Sequence, residues 1–369
     1  MNKKVIKIGK TRVGGNHPVF IIAEIGINYD GNFAQALKLI DAAAAAGCNA
    51  AKFQLFTAEK MYTSDAGTYK ISTGEHKDII KIIKESELPH AWLPKLKRYA
   101  SARGLEFFSS VCDEASADAL ARAKGAAFKI PSSECTHLPL IRHSARKKKP
   151  LIVSLGMATL AEVDELVAAI KAEGNSQIAL LHCAAVYPAP LSALNLAVLT
   201  TLQLCYPEAV VGFSDHSSEP SIGPVAAVRL GAKIVEKHIT LDRRLPGPDH
   251  SFAVNPAELK QMVRAIRAAE KELTQGTRVP VGAALRGSSK KQTNPKELYY
   301  RKFLMRAIFA TAAIKKGERL TRRNTAVLRP GKKPKGLAPK YHDLLMKGFR
   351  ATRAIPAGKS IFWEDVLLK

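Results

Sequence analysis

The feature of this sequence that most restricts its fold is a regular alternation of short apolar runs with longer helical patterns. Eight runs have the length and apolar character of strands that are buried on both faces of a parallel sheet. They are residues 20–26, 49–55, 105–111, 126–132, 150–156, 177–183, 209–216 and 233–240. Eight such units predict a (β/α)8 barrel, and a doubly wound open sheet is the main structural alternative.

Helical segments lie between the runs, and the four clearest are residues 34–47, 88–104, 159–174 and 255–273. The first is rich in alanine and ends at Gly47, a residue suited to the left-handed conformation that follows many helices. Thr159 and Asn255 stand at N-cap positions, each with a glutamate three residues later, as in a capping box. Before the first run, VIKIGKTRVGGNHP alternates around a Gly-Gly pair and predicts a hairpin that closes the barrel floor.

The helical pattern stops after Leu273, which predicts three parts: a barrel over residues 1–275, a linker over 276–300 and a compact unit over 301–369. The linker has Gly, Pro, Ser and Lys without an apolar period, so we expect it to be ordered but extended. In the last part, residues 312–321 and 353–362 form a weak internal repeat. A unit of about 70 residues is small for independent stability, so we expect it to pack against another surface.

The composition is that of an ordinary globular protein. With 46% apolar and 24% charged residues, the chain is neither a disordered nor a fibrous sequence. There is no run of 18 apolar residues, and the basic N-terminus lacks the apolar core of a signal peptide, so we expect no membrane span. The five cysteines are scattered, which argues against a disulfide framework or structural zinc site and favours a cytoplasmic location.

The net charge of +25 is concentrated near the C-terminus, where residues 276–369 hold 23 Lys and Arg against 5 Asp and Glu. Three interpretations remain open. The segment could present a solvated basic surface, steer an anionic substrate or meet an acidic partner, or bind nucleic acid. Nucleic-acid binding is the least favoured, because the segment has neither an aromatic-and-basic RNA-binding signature nor zinc-finger spacing.

Almost every apolar run ends in side chains that can take part in chemistry. In a (β/α)8 barrel the carboxyl ends of the strands meet at one face, where active sites lie. We therefore expect one site assembled from all eight runs. The residues are Glu24, Lys52, Gln54, Ser110, Lys129, Ser132, Glu134, Ser154, His182, Tyr187, Ser214, Asp215, His216, Glu236 and His238.

Two sets of these residues suit different chemistry. Lys52 and Lys129, together with the serine hydroxyls, suit a phosphate and a carboxylate. His216 and His238 end neighbouring runs and suit a divalent metal, for which imidazole favours Mn, Zn, Fe or Ni over Mg. Four carboxylates could add ligands, hold metal-bound water or transfer protons: Glu24, Glu134, Glu236 and Asp249. Alternatively, a strand-end lysine could form a Schiff base with a carbonyl substrate, which would leave the serines and the histidine pair unused.

A set of motifs in the same order resembles the N-acetylneuraminate (sialic acid) synthase family. The motifs are FIIAEIGINYDGN, AAKFQ, FKIPSSEC, LIVSLGMAT, LLHCAAVYPAP, GFSDHS and EKHITLDRRLPGPDHSF. The segment TAAIKKGERLTRRNTAVLRPG and the later GFRATRAIPAGKSI resemble the antifreeze-like (SAF) domain of that family. The resemblance implies a TIM barrel with a SAF cap, in a homodimer where each cap covers the partner's barrel.

The resemblance also implies an activity. The family condenses phosphoenolpyruvate with an N-acetylated mannosamine-type sugar and releases phosphate. His216 and His238 correspond to the ligands of Mn2+, or Mg2+, which polarises the sugar aldehyde. Lys52, Ser110, Lys129, Ser132, Ser154 and Ser214 fall where phosphoenolpyruvate is held, and Glu24, Gln54, Tyr187 and Asp249 where the sugar is oriented. Glu134 fits proton transfer or water activation, and Arg329 fits an arginine that reaches the sugar's acyl group from the partner's cap.

The sequence departs from the family pattern at several positions. Ala185 replaces a polar Ser or Asn, SSVCD (109–113) replaces STPF, and Tyr29 replaces a histidine. The loss at Ala185 removes one contact to phosphate or sugar, which implies weaker binding or a different sugar. Substrate-loop residues are expected within residues 68–80, and LPGPDHSF resembles the neuraminate and legionaminate branches.

Three functional hypotheses follow. The first is an N-acetylneuraminate synthase. The second is a legionaminate-type synthase that uses 2,4-diacetamido-2,4,6-trideoxymannose and needs a roomier, less polar sugar pocket. The third is an inactive barrel whose basic cap binds a polyanion, an interpretation that Ala185 and Tyr29 keep open.

Overall fold

The computed structural model describes residues 4–63, 66–70 and 76–368. Its centre is a closed barrel of eight parallel strands. They are β1 Phe20–Gly26, β2 Ala50–Leu55, β3 Glu106–Val111, β4 Phe128–Ile130, β5 Leu151–Ser154, β6 Ile178–His182, β7 Val210–Asp215 and β8 Ile234–His238. Because β8 pairs with β1, with Ile234 opposite Phe20, the sheet has no open edge. The predicted barrel is confirmed, and the open-sheet alternative is wrong.

Eight outer helices follow the strands. They are α1 Phe33–Ala46, α2 Leu93–Ala102, α3 Glu114–Arg122, α4 Leu138–Arg146, α5 Leu160–Ala172, α6 Val198–Cys205, α7 Ile222–Arg229 and α8 Pro256–Thr274. The local signals read from the sequence are confirmed: α1 ends at Gly47 in the left-handed conformation. Thr159 and Asn255 form complete capping boxes with Glu162 and Glu258.

An N-terminal hairpin closes the barrel floor, as predicted. Its strands, Val5–Ile8 and Thr11–Gly14, turn at Gly9 and Lys10 rather than at the Gly-Gly pair. Gly14 ends the second strand instead. Ile6, Ile8 and Val13 pack in one cluster with apolar residues from inside the barrel, including Phe20 and Phe108. The hairpin therefore covers the lower end of the barrel with apolar side chains.

The period of two along each strand decides what faces the barrel interior. On β1, Phe20 and Ile22 belong to the interior cluster, and Glu24 is the next residue on that face. On β8, Ile234 lies in the same cluster and is followed by Glu236 and His238. On these two strands an apolar residue near the barrel floor is thus followed by polar residues on the same inward face. The intervening residues pack outward against the helices.

The chain after α8 follows the outside of the barrel before it forms the C-terminal unit. The backbone carbonyls of Leu285 and Arg286 accept from the N–H groups of Leu196 and Ala197. Short helical elements occupy Ala283–Arg286, Pro295–Glu297 and Leu298–Leu304. The linker is therefore ordered, and its last helix leads directly into the cap.

The cap contains two small antiparallel pairs, Ala307–Ala310 with Thr325–Leu328 and Phe349–Ala351 with Val366–Leu368. The internal repeat is visible in its packing. Ile314 and Ile355, which are equivalent in the two copies, exchange backbone hydrogen bonds of 2.9 Å. Leu320 and Ile361, a second equivalent pair, lie with them in the apolar core of the cap.

The remaining short helices are Ala58–Met61, Ile79–Glu85 and His342–Leu345, and one further strand pair joins Thr68–Lys70 to His76–Asp78. Single 3-10 turns lie at His90–Trp92, Ser132–Glu134, Leu191–Ala193, Pro339–Tyr341 and Trp363–Asp365. Part of the expected substrate loop, residues 71–75, lies outside the described residues. The five cysteines are free thiols in this structure. No helix in the described part of the chain is long and apolar enough to cross a membrane.

Candidate active site

The carboxyl ends of the strands surround a cavity of about 470 Å³. Glu134 does not line this cavity, but most of the other candidate site residues predicted from the sequence do. They are Glu24, Lys52, Gln54, Ser110, Lys129, Ser132, Ser154, Tyr187, Ser214, His216, His238, Asp249 and Arg329. Two other strand-end residues, His182 and Asp215, do not line it; Asp215 pairs with the buried Lys237 at 2.6 Å. The alternation along β7 places Asp215 on the opposite face from Ser214 and His216.

The floor of the cavity holds two lysines on either side of one carboxylate. Glu236 lies between them, with Oε2 3.4 Å from Lys52 Nζ and Oε1 3.6 Å from Lys129 Nζ. Lys52 also pairs with Glu24 at 2.8 Å. All four side chains are buried. An anion that enters this floor meets two ammonium groups whose attraction is little screened by water.

Burial and charge separate the pKa values of the two floor carboxylates. Burial raises the pKa of Glu24 to about 7, against the opposing effect of Lys52. Burial alone would also raise the pKa of Glu236, but Lys129 and Lys52 outweigh it and hold that pKa at about 2. Two carboxylates with such different pKa values can take different roles at neutral pH. Glu236 stays ionised, and Glu24 can hold or release a proton.

Serine hydroxyls surround the lysines. Lys52 Nζ donates to Ser110 Oγ at 3.0 Å, and Lys129 Nζ donates to Ser154 Oγ at 2.7 Å. Ser214 Oγ donates to Glu236 Oε1 at 2.8 Å. Ser132 Oγ accepts from the Gly156 N–H at 3.0 Å. Ammonium groups together with hydroxyls that can turn toward a ligand form a site suited to a phosphate or a carboxylate.

The two histidines face each other at one side of the cavity. Their ring centroids lie 5.5 Å apart, at the ends of the adjacent strands β7 and β8. Burial lowers the pKa of His216 to about 4 and that of His238 well below its usual value, so both imidazoles are neutral near pH 7. Neutral imidazole is the form that binds a metal.

The hydrogen bonds of the two rings fit a metal-binding role. His216 Nδ1 bonds to the Ala184 carbonyl oxygen at 3.1 Å, which leaves Nε2 available. His238 Nδ1 is buried without a hydrogen-bond partner and lies 3.8 Å from Asp249 Oδ2. Within the described ranges, no group of three or more His, Cys, Asp or Glu side chains is arranged to hold a metal ion. An ion at this position would therefore need further ligands from substrate or water.

The upper part of the cavity contains both polar and apolar groups. Gln54 Nε2 donates to Glu24 Oε1 at 3.0 Å, and burial raises the pKa of Asp249 to about 6. The Tyr187 ring packs on His216 with a centroid distance of 4.4 Å. Apolar side chains from the loop after β2 and from the last linker helix complete the wall; they are Phe56, Ile79, Ile82, Ile83, Phe303 and Leu304.

Glu134 does not have the position expected of a group that transfers protons to substrate. It is fully buried outside the cavity lining, and both of its oxygens are held by guanidinium groups. Arg306 Nε donates to Oε2, and Arg329 Nη2 donates to Oε1 at 2.8 Å. These arginines keep its pKa far below the usual range despite burial. In this structure Glu134 therefore holds two arginines of the cap. Its role in proton transfer stays a prediction.

Arg329 lines the cavity of its own chain, and its entry into a partner's barrel stays a prediction. Its backbone N–H donates to the Met61 carbonyl at 2.7 Å, and its side chain donates to Ser133 Oγ at 2.7 Å. Arg306 adds further bonds from the cap to the barrel, including one to the Cys112 carbonyl at 2.7 Å. The cap therefore covers the barrel mouth within a single chain, held by buried ionic contacts.

The departures from the family pattern have structural explanations. Tyr29 is fully buried away from the cavity, where it packs against Phe53 and Trp92 and donates to the Ser86 carbonyl at 3.0 Å. Ala185 is also buried, and its backbone N–H donates to Glu297 Oε1 at 2.8 Å. In the SSVCD segment, Cys112 lines the cavity wall and Asp113 caps α3. These residues leave the convergence of the lysines and histidines intact, which weakens the inactive-barrel hypothesis.

Two residues that shape the site, and the position of a third, were not predicted from the sequence. Glu236 was recognised as a strand-end carboxylate, but its central place between the lysines depends on which strands are neighbours. Arg306 and Glu297 lie outside every motif that suggested catalysis. Glu297 does follow Asn294 by three residues, as in a capping box, but that pattern says nothing about contacts with the barrel.

Comparisons with known proteins agree with this architecture. The NeuB family model matches residues 39–278, and the SAF domain model matches residues 306–367. The spore coat polysaccharide biosynthesis protein SpsE of Bacillus subtilis is 51% identical over 363 residues, which cover 98% of this chain and 97% of that protein. Its crystal structure has a TM-score of 0.90 at 50% identity, with 99% of each chain covered.

Two further relatives carry names that state an activity. The N,N'-diacetyllegionaminic acid synthase of Legionella pneumophila is 35% identical over 363 residues, or 96% of each chain. The N-acetylneuraminic acid synthetase structure from Leptospira borgpetersenii, in complex with citrate, has a TM-score of 0.67 at 33% identity and covers 75% of this chain and 93% of that one. The matched sequence, the barrel and the C-terminal domain together establish that this chain belongs to the NeuB family and carries a SAF domain.

Proposed function

We propose that the chain is a nonulosonic acid synthase that condenses phosphoenolpyruvate and water with an N-acylated mannosamine-type sugar, most simply N-acetylmannosamine, to give N-acetylneuraminate and phosphate. The observation that carries this proposal is the cavity floor, where Lys52 and Lys129 flank Glu236 beside a pair of neutral imidazoles. The relatives named as legionaminic and sialic acid synthases support the same reaction class.

The lysine and serine floor is the place for phosphoenolpyruvate. This substrate carries a phosphate and a carboxylate, and the floor offers two buried ammonium groups with the hydroxyls of Ser110 and Ser154 in contact with them. Fixed cations in a site that excludes water stabilise the substrate charge and the phosphate that leaves. The permanent charge on Glu236 keeps both lysines oriented before substrate arrives.

The imidazole pair fits a divalent metal, Mn2+ by its donor chemistry and Mg2+ as the alternative. His216 and His238 would hold the ion, because both are neutral and the Nδ1 atom of His238 has no hydrogen-bond partner. When bound, such an ion supplies Lewis-acid polarisation of the sugar's carbonyl oxygen. Asp249, 3.8 Å from His238, lies near enough to orient the sugar or a water molecule.

The reaction that these groups support forms a C–C bond and a C–O bond from water to C2, and breaks the C–O bond from C2 to phosphate. The aldehyde oxygen gains a proton and the added water loses one. C3 of the enolpyruvate attacks the sugar aldehyde carbon, water adds to C2, and the tetrahedral intermediate loses phosphate. Glu24 is suited to proton transfer in this sequence, because burial places its pKa at about 7, where a carboxyl group can both accept and release a proton. Gln54 fixes its orientation through the 3.0 Å hydrogen bond.

A second substrate is favoured by a specific feature of the cavity. The wall formed by Ile79, Ile82, Ile83 and Phe303 is apolar, which suits the C6 methyl and additional acetamido group of 2,4-diacetamido-2,4,6-trideoxymannose. The legionaminic acid synthase relative supports this alternative. Arg329, at the cap side of the same cavity, is suited to bind an acyl carbonyl oxygen of either sugar.

Phosphate release from a panel of both sugars, with phosphoenolpyruvate and Mn2+, tests the proposal. Activity with one sugar assigns the substrate, and no activity with either contradicts the proposal. We expect His238→Ala to abolish metal-dependent turnover while the chain remains folded. We expect Arg329→Ala to raise the KM for the sugar more than the KM for phosphoenolpyruvate; equal increases would argue against its place beside the sugar.

We also propose a cytoplasmic location, since the two substrates belong to intracellular metabolism, and assembly as a homodimer. Exchange of caps between subunits stays a prediction. Size measurement in solution, combined with activity restored by mixing His238→Ala and Arg329→Ala subunits, would test both parts. If caps are exchanged, one of the two sites in a mixed dimer contains both His238 and Arg329, and activity returns. If a confirmed mixed dimer shows no restored activity, each barrel uses its own cap.

A further inference from the structure

One carboxylate from the linker penetrates to the barrel beneath the active-site loops. Glu297 is 3% exposed, although it belongs to the segment between the two domains. Its Oε1 atom accepts the Ala185 N–H at 2.8 Å and the Met157 N–H at 3.2 Å. Its Oε2 atom accepts the Asn294 N–H at 3.0 Å and so completes a capping box. Both oxygens are therefore fixed.

The two loops that Glu297 joins carry active-site contacts. Met157 follows β5, and the residue before it, Gly156, donates its N–H to Ser132 Oγ at 3.0 Å. Ala185 follows β6, and the loop continues to Tyr187, whose ring packs on His216. Glu297 thus links the loop that contacts Ser132 with the loop that packs on His216.

The connection to His216 passes through a single peptide group. The Ala184 carbonyl and the Ala185 N–H belong to the same planar unit and point in opposite directions. Glu297 holds the N–H end at 2.8 Å, and His216 Nδ1 bonds to the carbonyl end at 3.1 Å. A carboxylate at the N–H end polarises the peptide, which makes its carbonyl oxygen a stronger acceptor. Ala185 has no polar side chain that could do this itself.

We infer that Glu297 is a positioning residue for the active site: through the Ala184–Ala185 peptide it holds His216 in the tautomer that is protonated on Nδ1 and presents Nε2 to the cavity. The inference rests on the proposed function, in which His216 is a metal ligand. Groups that orient a ligating histidine fix its tautomer and increase its basicity, and their loss typically costs about 10–100-fold in metal affinity or activity. The linker therefore determines part of the chemistry of the barrel.

The test compares Glu297→Ala and Glu297→Gln with the unchanged chain. A glutamine offers one acceptor oxygen where the carboxylate offers two, so we expect an intermediate effect. Thr293→Val is the matched control, because Thr293 Oγ1 ties the same linker to the Met157 carbonyl at 2.7 Å without contacting the Ala184–Ala185 peptide. Thermal unfolding of each variant measures any general loss of stability.

Two readouts separate positioning from a purely structural role. The first is the Kd for Mn2+, measured by titration of the free ion; we expect about a 10-fold or larger increase in Glu297→Ala and no change in Thr293→Val. The second is the tautomer of His216, read from 15N signals of labelled imidazole and assigned with His216→Gln. We expect a mixed tautomer in Glu297→Ala.

An unchanged tautomer in Glu297→Ala overturns the inference, whatever happens to thermal stability. If Glu297→Ala does not fold, the same two readouts on Glu297→Gln decide. The two proposals can fail separately. If the unchanged chain shows no Mn2+ binding that depends on His216, the proposed metal role is contradicted. The tautomer measurement still tests whether Glu297 orients the His216 ring.

Discussion

The ion cluster around Glu134 leads to a strong prediction about how the cap is held. Its carboxylate is fully buried between the guanidinium groups of Arg306 and Arg329, which are themselves buried. Glu134→Gln keeps the side-chain volume but removes the negative charge. Two cations then remain in a site with little water. Removing one partner of a buried ion cluster costs about 3–5 kcal/mol, so we expect a loss of that size in the stability of the docked cap.

An exposed ion pair between cap and barrel provides the control. Glu165 pairs with Lys340 at 2.6 Å, and their side chains are 44% and 34% exposed. Glu165→Gln should cost only about 0–1 kcal/mol, because water screens the pair and solvates either partner alone. The comparison therefore separates the effect of burial from that of losing a charge between the two domains.

Urea denaturation followed by tryptophan fluorescence can measure the difference. The chain has two tryptophans, Trp92 beside the barrel and Trp363 in the cap, so a Trp92→Phe background reports on the cap alone. We expect the cap transition to move to lower urea in Glu134→Gln and to stay nearly unchanged in Glu165→Gln. Equal shifts would refute the argument that the buried cluster holds the cap.

The same cluster predicts a pH dependence. The folded-state pKa of Glu134 is lowered from 4.5, chiefly by Arg306 and Arg329 acting against burial. Its contribution to stability is therefore present above pH 4.5 and is lost as the pH falls below that value. We expect cap stability in the unchanged chain to decline on acidification, with a weaker decline in Glu134→Gln. Parallel declines would show that other groups cause the acid sensitivity.

Three further predictions concern the cavity and the core. Lys129→Met should raise the KM for phosphoenolpyruvate about 10–100-fold, since hydrogen bonds to charged groups are worth about 1.5–3 kcal/mol; steady-state phosphate release checks this, and an unchanged KM contradicts it. Because burial raises the folded-state pKa of Glu24 to about 7, its contribution to stability is full below pH 4.5 and is lost as the pH rises toward 7. Glu24→Gln should reduce the dependence of the unfolding free energy on pH between 4.5 and 7, measured by urea denaturation at each pH. An unchanged dependence would count against the raised pKa of Glu24. Tyr29→Phe should cost about 0.5–1.5 kcal/mol through the lost bond to Ser86 while both KM values stay constant; a large change in kcat would place Tyr29 in the catalytic machinery instead.

The barrel and most of the cavity could be predicted from the sequence because they depend on short-range periodicity. Each strand places every second residue inside the barrel, so a run that starts with Phe20 and Ile22 brings Glu24 to the upper interior. The same period explains why Asp215, between Ser214 and His216, points elsewhere. Position at a strand end alone does not distinguish the two faces of the strand.

The contacts of Glu134 and Glu297 that could not be predicted from the sequence join residues far apart in the chain. Glu134 follows β4 as a strand-end carboxylate should, and only the arrival of Arg306, 172 positions later, makes it an anchor for the cap. Glu297 meets Ala185 across 112 positions. No local period connects such pairs, and the capping-box pattern around Glu297 describes only its own turn.

The sequence alone determined the eight strand–helix units, their capped helices, the separate basic C-terminal unit and the lysine, serine and histidine set, since each of these is written in the spacing of neighbouring residues. The tertiary structure decided which charges share a buried environment. These neighbours set the different pKa values of Glu24 and Glu236, paired Glu134 with two arginines of the cap and placed Glu297 beneath the active-site loops. The physical reason is that the energy of a buried charge depends on its neighbours in space, and closure of the barrel and docking of the cap choose those neighbours.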